Sequence, residues 1–367
     1  MQLDSLHIAQ LRNLLSLELH PGPGFNFISG TNGSGKTSIL EAIHLLATGR
    51  SFRSPQAKTL ISVGASYCRV SALVSPGADQ GVGVSAVRLG VERSSAGGLK
   101  MRLAETDCHS LALFAKSLAL QLMNSNSYDL LEAEPSGRRN FLNWIMFHVE
   151  HSFHGIWQRF VRALQQRNAV LRTPGARPNI DILAWNQEII NMGQMIDAQR
   201  KALLQELLPI FSEVVGLLFD VRREINIQYQ QGWSQGFSLE AALAASLTRD
   251  LALGYTTVGP QRSDLSFLMD GLPVKSLLSR GELKLFIAAL FIARARLFHA
   301  KEGRRCIFLI DDLHAELDER AAAALLSCLG SLQTQVFITG IDTRGFSPWL
   351  QGASPHFKLA SGVLCAA

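Results

Sequence analysis

Gly30-Thr31-Asn32-Gly33-Ser34-Gly35-Lys36-Thr37 fits the phosphate-loop pattern G-x-x-x-x-G-K-[ST] at every fixed position. The stretch before it, Gly24-Phe25-Asn26-Phe27-Ile28-Ser29, reads as a short buried strand. The stretch after it, Ser38 to Ala47, reads as a helix with Ile39, Ile43 and Leu46 on one stripe. Strand, glycine turn and helix start together form an anion cradle. The glycines let the backbone curl so that successive amides point inward, and the helix dipole adds partial positive charge. This assigns Gly30 to Ser38 to the phosphates of a nucleotide. Lys36 would reach the β- and γ-phosphates, and the Thr37 hydroxyl would ligate Mg²⁺.

Working outward, the matching half of such a site is Cys306-Ile307-Phe308-Leu309-Ile310-Asp311-Asp312. An apolar run ending in two carboxylates predicts a buried strand that delivers Asp311 to Mg²⁺ and Asp312 to the attacking water, as base or orienting group. Between the halves, Leu278-Ser279-Arg280-Gly281-Glu282-Leu283-Lys284 opens an apolar-striped helix through Phe286, Leu290, Ala293 and Leu297. Ser279 and Glu282 fit a capping box, which also makes the helix start an anion site.

Composition sets the class. A chain of 367 residues with 47% hydrophobic and only 18% charged residues can bury more than one core, and disorder is excluded. The formal net charge of +5 biases it weakly toward an acidic partner such as nucleic acid. Its cysteines (68, 108, 306, 328, 365) are scattered with no C-x-x-C, which fits a reducing cytoplasm better than a disulfide or zinc scaffold. No signal pattern opens the chain, and the apolar run Leu111–Met123 is interrupted by Lys116 and too short for a span. A soluble, cytoplasmic protein with no membrane partner is expected.

Alternation predicts short strands near residues 3–8, 15–19 and 25–29, and a β-rich stretch over 67–104 with Val82, Val84, Val87 and Val91 and a turn at Ser94–Gly98. This gives the phosphate-loop lobe an antiparallel side sheet. From Phe141 to Arg172 the spacing is helical, ended by Thr173-Pro174-Gly175, and a second helix carries Trp185, Ile189, Met192, Ile196 and Leu203 up to Pro209. These stripes are too short for a coiled-coil arm. His148, His151 and His154 are spread over two turns, as packing or surface histidines rather than a metal set. Alternation returns at Ile225, Ile227 and Tyr229. The expected organisation is residues 1–115 as the first part of the ATPase lobe, 116–222 as an inserted helical lobe, and 223–367 as the rest of the ATPase lobe. Arg50 and Arg53, just past the loop helix, are cations placed to meet phosphate.

These landmarks carry a resemblance. Ser279-Arg280-Gly281-Glu282 resembles the L-S-G-G-Q-like signature of ATP-binding-cassette ATPases, and Ala315-Glu316-Leu317-Asp318 resembles their D-loop. Arg138-Arg139 with Phe141-Leu142-Asn143-Trp144, Leu164 to Ala169, Gly259-Pro260 and Asp311-Asp312 are similar to the RecF family, in the SMC-like branch of that superfamily. The resemblance implies an α/β P-loop head of mixed sheet plus antiparallel side sheet, with an inserted helical lobe. It implies ATP and Mg²⁺ as cofactors and an ATP-dependent head-to-tail homodimer in which Ser279, Arg280, Gly281 and Glu282 cap the γ-phosphate held by a second copy. It further implies DNA binding at single-strand gaps, with Arg50, Arg53, Arg138 and Arg139 as contacts, slow DNA-stimulated ATP hydrolysis, and loading of RecA with RecO and RecR. Gln121 would be the loop glutamine sensing γ-phosphate, and Asp318 the D-loop carboxylate. Thr339-Gly340-Ile341-Asp342 stands where the superfamily often has a switch histidine. Gln261-Arg262, Glu282 and Asn143 also depart from the family's usual residues. Two other readings stay open: an SMC-like or cassette ATPase with a mechanical or membrane-coupled output, and a P-loop kinase. ATP-dependent self-association separates the kinase from the rest.

Overall fold

The computed structural model describes residues 1–76, 85–132, 134–173, 182–219, 224–313, 317–342 and 354–365. In chain order the strands are β1 (Gln2–Leu11), β2 (Leu14–Leu19), β3 (Phe25–Ser29), β4 (Tyr67–Ser75), β5 (Val87–Ser94), β6 (Leu99–Leu103), β7 (Thr106–Asp107), β8 (Leu120–Met123), β9 (Ile225–Gln230), β10 (Asp264–Met269), β11 (Leu272–Pro273), β12 (Ile307–Ile310), β13 (Val336–Gly340), β14 (His356–Ala360) and β15 (Val363–Leu364). The helices are α1 (Lys36–Thr48), α2 (Ala57–Leu60), α3 (Leu111–Lys116), α4 (Asp129–Glu132), α5 (Pro135–Val149), α6 (Phe153–Arg172), α7 (Leu183–Phe219), α8 (Leu239–Leu253), α9 (Val274–Leu277), α10 (Arg280–Glu302) and α11 (Glu319–Ser331).

The chain divides into two compact units, one of Met1–Ser127, Leu217–Asp220 and Arg280–Ala367, the other of Tyr128–Gly216 and Val221–Ser279. The first unit holds two sheets. One has the order β15-β14-β3-β13-β12-β8, parallel from β14 through β8. The other, β2-β1-β4-β5-β6-β7, is antiparallel throughout. The difference follows from the sequence. Phe27-Ile28 and Ile307 to Ile310 are buried without alternation, as strands covered on both faces must be. β4 instead buries Cys68, Val70, Ala72 and Val74 while the residues between them point outward. Helix α1 lies against both sheets, and Ile39, Leu40, Ile43, Leu45 and Leu46 share one core with Leu6, Ile8, Val70, Val91, Leu309 and Phe337. The phosphate loop thus sits at the start of the most buried helix of the unit.

The expected side sheet is present over the described residues; Val82, Val84, Pro174 and Gly175 lie outside them. The unit boundaries differ from the expected 115 and 223. β8 pairs in register with β12 and so stays with the first unit up to Ser127. Val221–Ser279 stays with the second unit, because β9, β10 and β11 pair with one another as a separate three-stranded antiparallel sheet. Alternation identified β9 but not β10 or β11, and could not say which sheet β9 joins.

In the second unit the long helical stretch is two helices, α5 and α6, separated at Glu150–Ser152. Helix α7 does not stop at Pro209 but continues to Phe219 with the proline inside it. Buried Leu207, Phe211, Val214 and Val215 carry the apolar stripe past the proline, so burial outweighs the amide it lacks. Length and apolarity alone would also let α7 cross a membrane, but core helices pass the same test, and α7 carries fully buried Arg200 and buried Asp197. Its neighbours are held by a polar network. Arg167 on α6 pairs with Asp250 on α8 at 2.8 Å with both side chains fully buried, and also donates to Thr256 Oγ1 and Asn186 Oδ1. His148 lies against the Trp144 and Phe147 rings, and His154 against Phe147.

Candidate nucleotide-binding site

The phosphate loop joins β3 to α1 through two left-handed glycines, Gly33 (φ 79°) and Gly35 (φ 110°), which L side chains adopt only under strain. Gly30 is glycine for room: a Cβ there would collide with the Leu359 carbonyl of β14. Lys36 folds back along the loop and donates to the carbonyls of Gly30 (2.7 Å) and Thr31 (3.0 Å). Burial pushes its ammonium below the usual lysine range, against the attraction of Asp312 and Asp311. The Ser34 hydroxyl is buried with no hydrogen-bond partner, an orphaned donor inside the curl of the loop.

Opposite the loop, fully buried β12 delivers the two carboxylates. Thr37 Oγ1 on α1 donates to Asp311 at 3.0 Å, and Thr339 Oγ1 at the end of β13 donates to the same carboxylate at 2.7 Å. Thr339 Oγ1 also accepts from the Asp312 amide at 2.9 Å, fixing Asp312 in a left-handed conformation (φ 55°) just beyond the strand. Thr37 and Asp311 therefore come together as expected, and Asp312 lines the same cavity of about 830 Å³ as Lys36, Thr37 and Ser38.

Sequence reasoning missed much of the rest of the wall. Arg12 and Asn13 form the two-residue tip between β1 and β2. Asn13 Nδ2 donates to Gly33 O (3.1 Å) and its Oδ1 accepts from Ser38 Oγ (3.2 Å), bracing the phosphate loop from outside. Arg12 makes a two-pronged pair with Glu41 of α1, both contacts 2.9 Å, and Glu41 is wholly buried. Ser51 donates to that carboxylate too, and Arg53 approaches it at 3.8 Å. Lys284, one turn into α10, lines the cavity and donates to the Asp312 and Leu313 carbonyls. The only forewarning was an Arg-Asn pair between two apolar alternations, which is ordinary for a hairpin tip.

Other expected residues stand elsewhere. Gln121 is buried on β8, accepts from Arg294 (2.8 and 3.0 Å) and donates to Cys306 Sγ; it does not line the cavity, whereas Ser125, just after β8, does. The Gln121 amide is engaged by Arg294 and Cys306 rather than by the cavity. Arg280, Gly281 and Glu282 begin α10 and do not line this cavity. Asp318 caps α11, accepting from the Ala321 amide at 2.7 Å, while Ala315 and Glu316 lie outside the described residues. Arg53 lines the cavity, and Arg50 is exposed beside it in sequence. Arg138 is spent on a two-pronged pair with Asp264 at 2.6 and 3.1 Å, and so is not a free surface cation. Arg139 donates to the Ser263 carbonyl.

Fold and site together define a P-loop ATPase head of the ATP-binding-cassette type: mixed sheet, antiparallel side sheet and an inserted lobe. Residues 2–349 match the family described as RecF/RecN/SMC N terminal domain. The chain is 40% identical to DNA replication and repair protein RecF of Pseudomonas paraeruginosa over 94% of this chain and 91% of that one. It is 41% identical to the protein of the same name from Azotobacter vinelandii, over 93% and 92%. A solved structure of the recombination mediator protein RecF with ATP superposes with a TM-score of 0.86 over 99% of this chain and 96% of that one, at 22% identity. An SMC head bound to a domain of ScpA reaches 0.59 at 13% identity, over 99% and 96%. The chain belongs to the RecF family.

Proposed function

We propose that the chain is an ATP-operated DNA-binding protein of recombinational repair. The observation that carries this is the linkage Thr37–Asp311–Thr339–Asp312 set against a phosphate loop whose Ser34 hydroxyl has no partner. That donor set fits a triphosphate with a hard cation. Lys36 and the amides of Gly33 to Thr37 would hold the phosphates, and Thr37 and Asp311 the Mg²⁺. Bound Mg²⁺–ATP supplies the phosphoanhydride and its polarisation. Asp312 Oδ would accept the proton of the attacking water, oriented through its own amide by Thr339. Lys36 would leave the Gly30 and Thr31 carbonyls for phosphate oxygens.

The signature residues Ser279, Arg280, Gly281 and Glu282 would act on the nucleotide of a second copy, so that ATP closes a head-to-tail dimer on DNA in the cytoplasm. The RecFOR pathway named for a solved relative supports RecO and RecR as partners, and the family resemblance adds RecA. The test is duplex-DNA binding with and without ATP at one salt concentration, with the mass of the complex read in parallel. Tighter binding with doubled mass is expected. ATP binding that changes neither mass nor DNA affinity would return the chain to the P-loop kinases.

A further inference from the structure

In the second unit, residues from two helices converge on one turn, Gly259-Pro260-Gln261-Arg262-Ser263. Arg200 of α7, fully buried, donates to Pro260 O and Ser263 Oγ at 2.8 Å each, and to Asn143 Oδ1 at 2.9 Å. Arg139 of α5 donates to Ser263 O at 3.1 Å. Gly259 is left-handed (φ 123°), and its carbonyl lies so close to Gly232 that a Cβ there would collide with it. The turn is therefore rigid, and it projects one residue: Arg262 is exposed, its guanidinium 5.0 Å from the centre of the Tyr255 ring. Tyr255 is itself exposed.

We propose that Arg262 on this turn, with Arg139 of α5 bonded to its Ser263 carbonyl and Tyr255 beside it, forms a nucleic-acid backbone site on the second unit. The argument is charge. The charged groups that act on Arg139 are Arg200, Asp264, Arg262 and Arg138, three cations against one carboxylate, and that carboxylate is already taken by Arg138. Folding gains nothing from crowding like charges around a half-buried guanidinium, and burial with this repulsion holds Arg139 below the usual arginine range. An incoming polyanion relieves the crowding. A planar guanidinium held over an exposed ring can present its donor fork to a phosphate while the ring meets a sugar or base face, which favours a nucleic acid over an acidic protein. Phosphate-backbone contacts carry no sequence preference. The site rests on the DNA-binding reading above, and replaces Arg138 with Arg262 among its candidates.

The test measures duplex-DNA binding by the full chain with ATP across a series of salt concentrations, for the wild type, Arg262→Ala, Arg262→Lys and the double variant Arg139→Gln/Arg262→Ala. Each lost phosphate contact flattens the slope of log affinity against log salt by about 0.9. Arg262→Ala should flatten it by one such step and the double variant by two, equally for unrelated sequences, and Arg262→Lys should keep most of it. Arg262 is exposed, so its variant decides the matter even if replacing Arg139 unfolds the chain. A wild type that binds DNA while the variants keep its slope overturns this site and leaves the function above standing. A wild type that does not bind DNA with ATP overturns both. Variants that hold DNA normally but lose binding to polyglutamate would show a surface for acidic protein, and overturn the assignment to nucleic acid.

Discussion

Thr339 shows how much one hydroxyl can organise. It donates to the Asp311 carboxylate and accepts from the Asp312 amide, so one side chain orients the first carboxylate and fixes the backbone that carries the second. Thr339→Val keeps the shape and removes both bonds. ATP turnover should fall about 10- to 100-fold, the usual effect of losing an outer partner of a metal ligand, while ATP affinity stays within a few-fold. Thr339→Ser should restore turnover; equal turnover in Thr339→Val and the wild type would remove Thr339 from the mechanism. Lys36 is simpler, since it belongs to the loop itself. Lys36→Arg puts a forked, larger cation where a point charge folds against two carbonyls, and ATP-dependent dimerisation on DNA should be lost; its survival would sink the nucleotide assignment. The sequence was legible at these positions because the chemistry demands particular residue types at fixed spacing. It was opaque at Arg12, Asn13 and Lys284, whose roles depend on which loops meet. Gln121 shows the converse: its residue type suited a phosphate sensor, but here its side chain is held by Arg294 of α10.

Among the elements, the second unit depends on a bond that hydropathy could not forecast. Arg167 ties α6 to α8 through a pair buried on both sides, and Asp250 is further held by the Thr257 amide and hydroxyl. Arg167→Met strands a buried carboxylate and should cost about 3–5 kcal/mol, read as a lower urea midpoint. The double variant Arg167→Met/Asp250→Leu should recover part of that loss; no recovery would mean the pair is not the source. The two sheets of the first unit carry a comparable liability at high pH. Burial pushes the thiols of Cys68, on β4, and Cys306, just before β12, up to about 11 from 9.0. The folded protein then binds protons that the unfolded chain has lost, so this contribution is full below pH 9 and disappears as pH climbs to about 11. Urea midpoints should fall across that window, and Cys306→Ala should flatten the fall; an unchanged pH profile in that variant would refute the cause. Period alone marked β9 and the helical character of α5 to α7, but not the break at Glu150–Ser152, the run past Pro209, or α8, β10 and β11. Sheet membership of β9 was not readable either, because an alternating strand pairs equally well with any open edge.

For the whole molecule, the expectation is a change of assembly with ligand, and it belongs to no single residue. ATP should double the mass only when a second copy supplies its α10 start, so Arg280→Ala should bind ATP as the wild type does and fail to dimerise; dimerisation of that variant would end the trans role. The first unit also has a peculiarity of connection. Ser29 and His356, hydrogen-bonded at 2.7 Å, are 327 positions apart, and Gly362 N donates to the Ser34 carbonyl inside the phosphate loop. Strand β14, laid parallel against β3 and paired on its other side with β15, is thus a wall of the loop. A ribosome makes the loop early and its wall late. Until β14 emerges the loop has its sequence but not its support, so a nascent chain should be a poor competitor for the cell's ATP. Emergence of β14 then sets the moment at which the protein can first respond to nucleotide.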